Sequence, residues 1–274
     1  MMRCIIALIS FIFMFNGYSF ASLSVYPNYI KQGNTFVVTS DVPKKKGFIF
    51  NKTVNFYPKD AKYIAIVGVD IRQAPGGYTF TADGISDEAK IEVIKVIFPT
   101  SYVKVERKKM KLLGNDYIEK DINKFNTVIT CESQSQLWTG KFAKPLSTFK
   151  YISTLFGFHR RYNKTDFGYH RGIDYAASSG SPVLASNTGV VVLSELLDVH
   201  GNTIVIDHGQ GIYTLYCHLS KRYYSKGDHV NKGEMIGRVG STGLSSGPHL
   251  HFGLSVHDVR VNPAQWLSRD IINI

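Results

Sequence analysis

Between Leu23 and Phe98 the hydrophobic positions fall in short runs rich in β-branched and aromatic residues: "TFVVTS" at 35–40, "AKYIAIVGVD" at 61–70, "GGYTFTA" at 76–82 and "KIEVIKVIF" at 90–98. Turn-forming clusters separate them, "KQGN", "DVPKKKG" and "APGG". Short strands at this spacing predict a small β-sandwich of immunoglobulin-like shape over 22–98. From 99 to 140 the chain turns polar and charged, and "YIEKDINKFNTVI" and "CESQSQLW" carry a weak helical period, predicting a connector with one or two helices. From 141 to 274 strands return as "PVLAS", "GVVVLSEL", "NTIVIDH", "GIYTLYCH", "EMIGRVG" and "PHLHFGLSV", with tight turns at "DVHGN" and "HGQG". The fold class is therefore mainly β: a sandwich, a helical or irregular connector, and a C-terminal antiparallel domain.

The first 21 residues have a different texture. One Arg precedes an apolar run from Cys4 to Phe15, and Ser19 and Ala21 suit a signal-peptidase site. The expectation is an exported protein of the periplasm or cell envelope, cleaved after Ala21. Cys4 lies too early to be a lipid-modified residue following a signal. Removing Arg3 takes the formal net charge of +11 to +10. So basic an exported chain suits an anionic cell-wall polymer or membrane surface, and export argues against nucleic acid. Solvated lysines serving solubility alone would give the same charge, and neither "KKK" at 44–46 nor "RKKMK" at 107–111 is assigned a role. Of the 3 cysteines, Cys131 and Cys217 remain after cleavage, as one disulfide or as two free thiols.

The chemistry is confined to the C-terminal part. All 9 histidines lie at or beyond His159, and the sandwich has none. "GYHRGIDYAA" sets His170 and Asp174 four apart, "YCHLS" supplies His218, and "PHLHF" supplies His249 and His251. Residues i and i+2 of a strand share a face, so His249 and His251 stand side by side. Two imidazoles and one carboxylate are a donor set that zinc accepts. A lone His218 in an apolar strand would read as a core residue, and HxxxD alone is common; the three elements in one glycine-rich domain read together as a site.

This combination resembles the lysostaphin-like, or LytM-type, zinc metallopeptidases of bacterial peptidoglycan. It covers Phe142 to Trp266 through "FGFHRRYN", "HRGIDYAASSGSPVLASNTGVVV", "GNTIVIDHGQGIYTLYCHLS", "VNKGEMIGRVGSTGLSSGPHLHFGL" and "VNPAQWL". The resemblance implies one zinc ion held by His170, Asp174 and His251, with His218 and His249 as metal-free catalytic histidines for proton transfer and oxyanion stabilisation. It implies cleavage of a peptide cross-link, between D-alanine and diaminopimelate where a β domain precedes the peptidase, with peptidoglycan as partner. The two-domain layout alone, apart from the resemblance, raises the expectation of a regulatory contact from the N-terminal domain. A non-catalytic activator or wall-binding protein on the same fold, and an exported metal-storing protein, are the readings from other classes.

Alternation along "GIYTLYCHLS" puts Thr214, Tyr216 and His218 on one face and Tyr213, Leu215, Cys217 and Leu219 on the other, so that Cys217 is expected to face the core and not the site. His159, His200, His208, His229 and His257 fall in turns or at strand ends, with structural or solvated roles, and Asn202 and Asp207 stabilise turns. Tyr169, Tyr175 and Tyr216 flank site residues and either pack substrate atoms or are simply good strand formers. The segment "KGDHVNKGEMIGRVG" looks like the hairpin of biotinyl and lipoyl carrier domains, without their lysine-bearing tip.

Overall fold

The structure, a computed structural model, describes residues 22–84, 87–129 and 133–273. The expected leader over 1–21 and Cys131, with any bridge to Cys217, lie outside the described residues. Among these residues no helix is long and apolar enough to cross a membrane.

The N-terminal runs form two facing sheets. A four-stranded sheet holds Thr35–Ser40 and Lys62–Gly68 at its centre, and a five-stranded sheet carries Gly76–Ala82 and Ala89–Ile94. Phe36, Val38, Ala65 and Val67 point into the sandwich against Phe80, Ile91 and Val93. The alternate residues Val37, Ile64 and Ile66 point the other way, into a second core made with Trp138, Phe142, Leu254, Val259, Val261 and Trp266. Both faces of the four-stranded sheet are thus buried, and "TFVVTS" is apolar without alternation at its centre for that reason. Polar contacts reinforce the seam: Gln265 brackets the backbone of Thr35, accepting its N–H at 2.7 Å and donating to its C=O at 2.7 Å. Trp266 Nε1 donates to Thr35 Oγ1 at 3.0 Å.

The segment 99–140 is built into the C-terminal domain. Thr100–Val103 pairs in parallel with His159–Tyr162, which forms a hairpin with Thr165–Tyr169. A 3-10 turn at Arg107–Leu113 leads into the helix Asn115–Ile129, whose buried stripe is Asp121, Phe125 and Ile129, spaced by four. Phe125 and Ile129 cover one face of the C-terminal sheet beside Leu193, Val205, Leu215 and Cys217. The helical expectation for "CESQSQLW" fails over its described part: 133–138 carries no helix, and its backbone pairs with the 208–210 turn through Leu137 N–H to His208 O at 2.8 Å and Gln210 N–H to Ser133 O at 2.6 Å.

The C-terminal part centres on an eight-stranded antiparallel sheet. Its order runs Tyr151–Thr154, Ile173–Ala176, His249–Val256, Ile212–Leu219, Gly201–Asp207, Gly189–Leu197 and His229–Val230, with Val259–Val261 paired to His249–Val256. One face carries Ile173, Tyr175, Ile204, Ile206, Tyr216, Leu250 and Phe252 in a core. The carrier-like segment is not a simple hairpin here. His229–Val230 joins this sheet, while Met235–Arg238 joins a separate one with Pro182–Leu184 and Lys221–Arg222.

Candidate metal centre

Asp174 and His251 are direct cross-strand partners, and Ala176 faces His249 in the same ladder. Partners across an antiparallel ladder share a face, so Asp174, His249 and His251 project together. His170 arrives from the loop before Ile173–Ala176 and is fixed by its own backbone, its N–H donating to Phe158 O and its C=O accepting from Gly157 N–H, both at 2.8 Å. Gly172 makes room between them: a Cβ there would lie 2.7 Å from His251 Cε1 and 2.5 Å from Phe252 O.

Three donor atoms converge. His170 Nε2 lies 3.0 Å from Asp174 Oδ1 and 2.9 Å from His251 Nδ1, and His251 Nδ1 lies 2.8 Å from Asp174 Oδ1. His170 Nδ1 is 2.8 Å from Leu155 O, which accepts only from an N–H; the proton is assigned there, and Nε2 presents a lone pair to the carboxylate. Burial disfavours charge on both imidazoles, lowering the pKa of His170 and taking that of His251 down to about 3. Burial alone would raise that of Asp174, but His170 and Arg160 hold it well below the usual carboxylate range. Two neutral imidazoles and a carboxylate thus bring three donor atoms to one point, where a cation can take the place of the proton they share. The residues fit a divalent metal, and the two-imidazole, one-carboxylate set suits zinc.

The two remaining histidines stand beside this centre. The His218 and His249 rings are 4.7 Å apart, His218 is 6.2 Å from the His251 ring, and His249 Nε2 is 3.9 Å from Asp174 Oδ2. Each anchors Nδ1 on a carbonyl, His218 on Thr242 O at 2.8 Å and His249 on Gly247 O at 2.9 Å. The implied tautomer leaves Nε2 of each as an acceptor. Burial, with the neighbouring His249 and His251, holds the pKa of His218 well below the ordinary imidazole value, so it is neutral and competent to take a proton.

Strict alternation does not deliver this geometry. Cys217, not His218, is the ladder partner of His251, so Cys217 is on the site face. It is buried under Phe125 and Ile129, and burial pushes its thiol up to about 12. Leu219 packs with Tyr216 and not with Cys217. The cause is a bulge: Asn202 pairs with Leu219 and Ile204 with Tyr216, so one residue opposes two. His218 takes a φ of +62° there, which brings its ring round to His249.

Other side chains at the site escaped the sequence reading. Arg160, buried, donates to Asp174 Oδ2 and to Tyr162 Oη, the latter at 3.0 Å. "FGFHRRYN" contains it, but nothing in the spacing ties its guanidinium to Asp174. His200 Nδ1 bonds Asp121 Oδ2 at 2.7 Å, and its ring is 6.5 Å from that of His251. His208 is buried between Thr188 O and Thr214 Oγ1, at 2.7 and 2.8 Å, and is structural. His257 reaches Ile66 O at 3.2 Å, His159 lies 3.4 Å from Asp166, and His229 is exposed. Asp207 accepts from Gly209 N–H at 2.7 Å and Asn202 donates to Leu219 O at 3.0 Å, both as turn stabilisers. Tyr175 and Tyr216 are core residues, the latter with its hydroxyl bonded to Ser186 N–H and Thr214 Oγ1, so neither can pack substrate; Tyr169 is exposed.

A cavity of about 460 Å³ opens beside the centre, between Ser101–Lys104, Tyr151, Arg160, Asp174 and the 244–249 loop. The connector and the C-terminal domain form its walls, and the sandwich contributes none of its lining.

A His–Asp–His centre flanked by two further imidazoles on an antiparallel sheet defines a LytM-type metallopeptidase domain. Residues 168–263 match the model of peptidase family M23. DD-carboxypeptidase/endopeptidase Mpg of Neisseria meningitidis serogroup B is 44% identical over 112 residues, 41% of this chain and 26% of that protein. Peptidoglycan DD-endopeptidase ShyA of Vibrio cholerae is 45% identical over 93 residues, 34% of this chain and 22% of that one. The matches thus span about a quarter of these relatives' length. A crystal structure of a putative peptidase M23 from Pseudomonas aeruginosa is 27% identical, with a TM-score of 0.67, over 86% of this chain and 94% of that one. That likeness takes in the sandwich as well as the peptidase domain.

Proposed function

We propose that this protein is an exported, zinc-dependent endopeptidase that hydrolyses peptide cross-links of bacterial peptidoglycan between D-alanine and diaminopimelate, acting in the periplasm or cell envelope. The observation that carries the reading is the convergence of His170, Asp174 and His251 with His218 and His249 alongside. The names of the relatives, a DD-carboxypeptidase/endopeptidase and a peptidoglycan DD-endopeptidase, support the substrate class.

His170, Asp174 and His251 would hold one zinc ion. When bound, it supplies Lewis acidity that polarises the scissile carbonyl and lowers the pKa of water. His249 and His218 share the rest: one accepts the proton of the attacking water through Nε2 and passes it to the leaving amine, and the other stabilises the developing oxyanion when its own Nε2 carries a proton. Arg160 keeps Asp174 Oδ2 engaged, leaving Oδ1 to face both imidazoles. The cavity is open and lined by strand ends and loops, as an extended, flexible peptide requires. The basic charge favours an anionic wall. The sandwich would regulate or target the enzyme from its docked position, through contacts such as Arg171 to Asp70 at 3.2 Å beside His170.

The test is release of soluble fragments from purified cross-linked peptidoglycan by the protein, with and without chelator, analysed by mass. Chelator-sensitive release of peptides cut at the cross-link is expected. A zinc-loaded protein that releases nothing would move the weight to a non-catalytic activator or wall-binding role.

A further inference from the structure

The segment before the peptidase domain sends two side chains to the loops that hold His218 and His249. On the helix Asn115–Ile129, the buried Asp121 accepts the backbone N–H of Asp198 at 3.0 Å, of Val199 at 2.9 Å and of His200 at 3.0 Å, and bonds His200 Nδ1 at 2.7 Å. That carboxylate closes the 198–200 turn. His200 O in turn accepts the N–H of His218 at 2.8 Å, which fixes the left-handed residue of the bulge. From the 3-10 turn, Lys109 Nζ donates to Ser241 O at 3.2 Å and Ser245 O at 2.8 Å. The loop it spans carries Thr242 O, the anchor of His218 Nδ1, and Ser245 Oγ, 3.2 Å from His249 Nδ1.

We propose that Asp121 and Lys109 are positioning residues for the two proton-transfer imidazoles, so that the connector is a working part of the catalytic scaffold. The inference rests on the peptidase reading for what His218 and His249 do. A carboxylate receiving four charge-assisted hydrogen bonds in a buried setting is a stiff support, and the turn it stiffens has one further contact that matters, the His218 backbone. A non-glycine residue at φ +62° relaxes toward negative φ when its restraint loosens, and such a shift swings the ring off His249. Lys109 acts on the opposite side, where a displaced 241–245 loop moves Thr242 O, the anchor of His218 Nδ1, and Ser245 Oγ, which contacts His249 Nδ1 and bonds its anchor Gly247 O at 2.7 Å.

The experiment uses the full zinc-loaded protein with Asp121→Asn, Lys109→Met and, as a control on the same helix, Ile129→Ala. Ile129 packs under the sheet, whereas Phe125 sets its ring 4.8 Å from that of His200 and would not be independent of the turn. On a purified cross-linked muropeptide, Asp121→Asn and Lys109→Met should lower kcat by about 10- to 100-fold with KM and zinc content unchanged, the scale of a misplaced catalytic group. Ile129→Ala should lose thermal stability and keep kcat. Imidazole nitrogen resonances give a readout free of turnover: those of His218 should move in Asp121→Asn, those of His218 and His249 in Lys109→Met, while His170 and His251 hold theirs. Unmoved resonances with wild-type kcat overturn the proposal, as does an Ile129→Ala variant that loses kcat as much as Asp121→Asn. If the wild-type protein cuts no muropeptide while the resonances move as described, the peptidase reading falls and the positioning inference stands.

Discussion

Cys217 stands directly opposite His251 in the ladder between Ile212–Leu219 and His249–Val256, and the ring that completes the site belongs to the next residue, His218. Side-chain alternation alone would send that ring to the far face. The bulge and the φ of +62° return it. His218→Gly should therefore fold with less strain than His218→Val, by about 1–2 kcal/mol in chemical denaturation, since glycine takes positive φ freely and a β-branched residue does not. Both variants should retain zinc and lose turnover by about 10²–10⁴-fold, as expected on removing a general acid–base group. His249→Ala should behave alike in metal content and turnover, whereas His170→Ala and Asp174→Ala should lose the metal; loss of metal on changing His218 or His249 would refute this division of labour.

Arg160 and Asp174 form a buried ion pair. Replacing Arg160 by Met leaves a buried carboxylate without that partner, a change that typically costs about 3–5 kcal/mol. The penalty should show in the chelated protein and shrink once zinc neutralises Asp174. Melting temperatures of wild type and Arg160→Met, each with chelator and with zinc, measure this, and the zinc-induced rise should be larger in the variant.

His208 is held neutral by burial, with its pKa depressed from 6.5 to about 4. The unfolded chain takes up this proton below pH 6.5 while the folded one refuses it until about pH 4. Stability therefore falls as pH drops through that window and levels off below it. The contribution between pH 7 and 4.5 is on the order of 2 kcal/mol. Denaturant titrations in chelator should show a smaller pH 7 to pH 4.5 difference for His208→Gln than for wild type; equal differences would assign the acid sensitivity elsewhere.

The sandwich and the peptidase domain share a core, so heat should unfold the described chain in one transition. Gly68 sits in the seam, where a Cβ would lie 2.9 Å from Val261 Cγ1 and 3.1 Å from Val259 Cβ. Gly68→Val should pry the two parts apart and split the calorimetric trace into two transitions. For the same reason, a version starting near Trp138 is a poor probe of regulation: it would expose Trp266 and Val259 and discard Asp121 and Lys109. Seam variants such as Gly68→Val are the better test of whether the sandwich restrains the enzyme.

The local part of this architecture was legible. The apolar runs mark the strands, and the five site residues stand in short motifs whose spacing maps onto a strand or a loop. What escaped is set by contacts between distant positions. Thr100–Val103 reads as linker because its parallel partner lies about 59 positions on. Asp121 reads as a surface acid on a polar helix because the turn it closes is 77 to 79 positions away. Alternation placed Cys217 with Tyr213 and Leu215 in a core, as found, and misplaced His218 and Leu219, because one unpaired residue inverts the pattern after it. Tyr175 and Tyr216 looked available because composition does not say which face a sheet buries.

The shared core also constrains the order in which this chain reaches its native state. The outer face of the Thr35–Ser40 and Lys62–Gly68 strands waits for Leu254, Val259 and Trp266, and Thr35 meets Gln265 across 230 positions. A polypeptide emerging from its N-terminus must present that apolar sheet uncovered until nearly all the rest has been made. Contacts this far apart form slowly and leave sticky intermediates. The sandwich is thus made before the strands that complete it and is finished only when they arrive. The face of Val37, Ile64 and Ile66 therefore stays open to solvent until the strands that carry Leu254, Val259 and Val261 arrive.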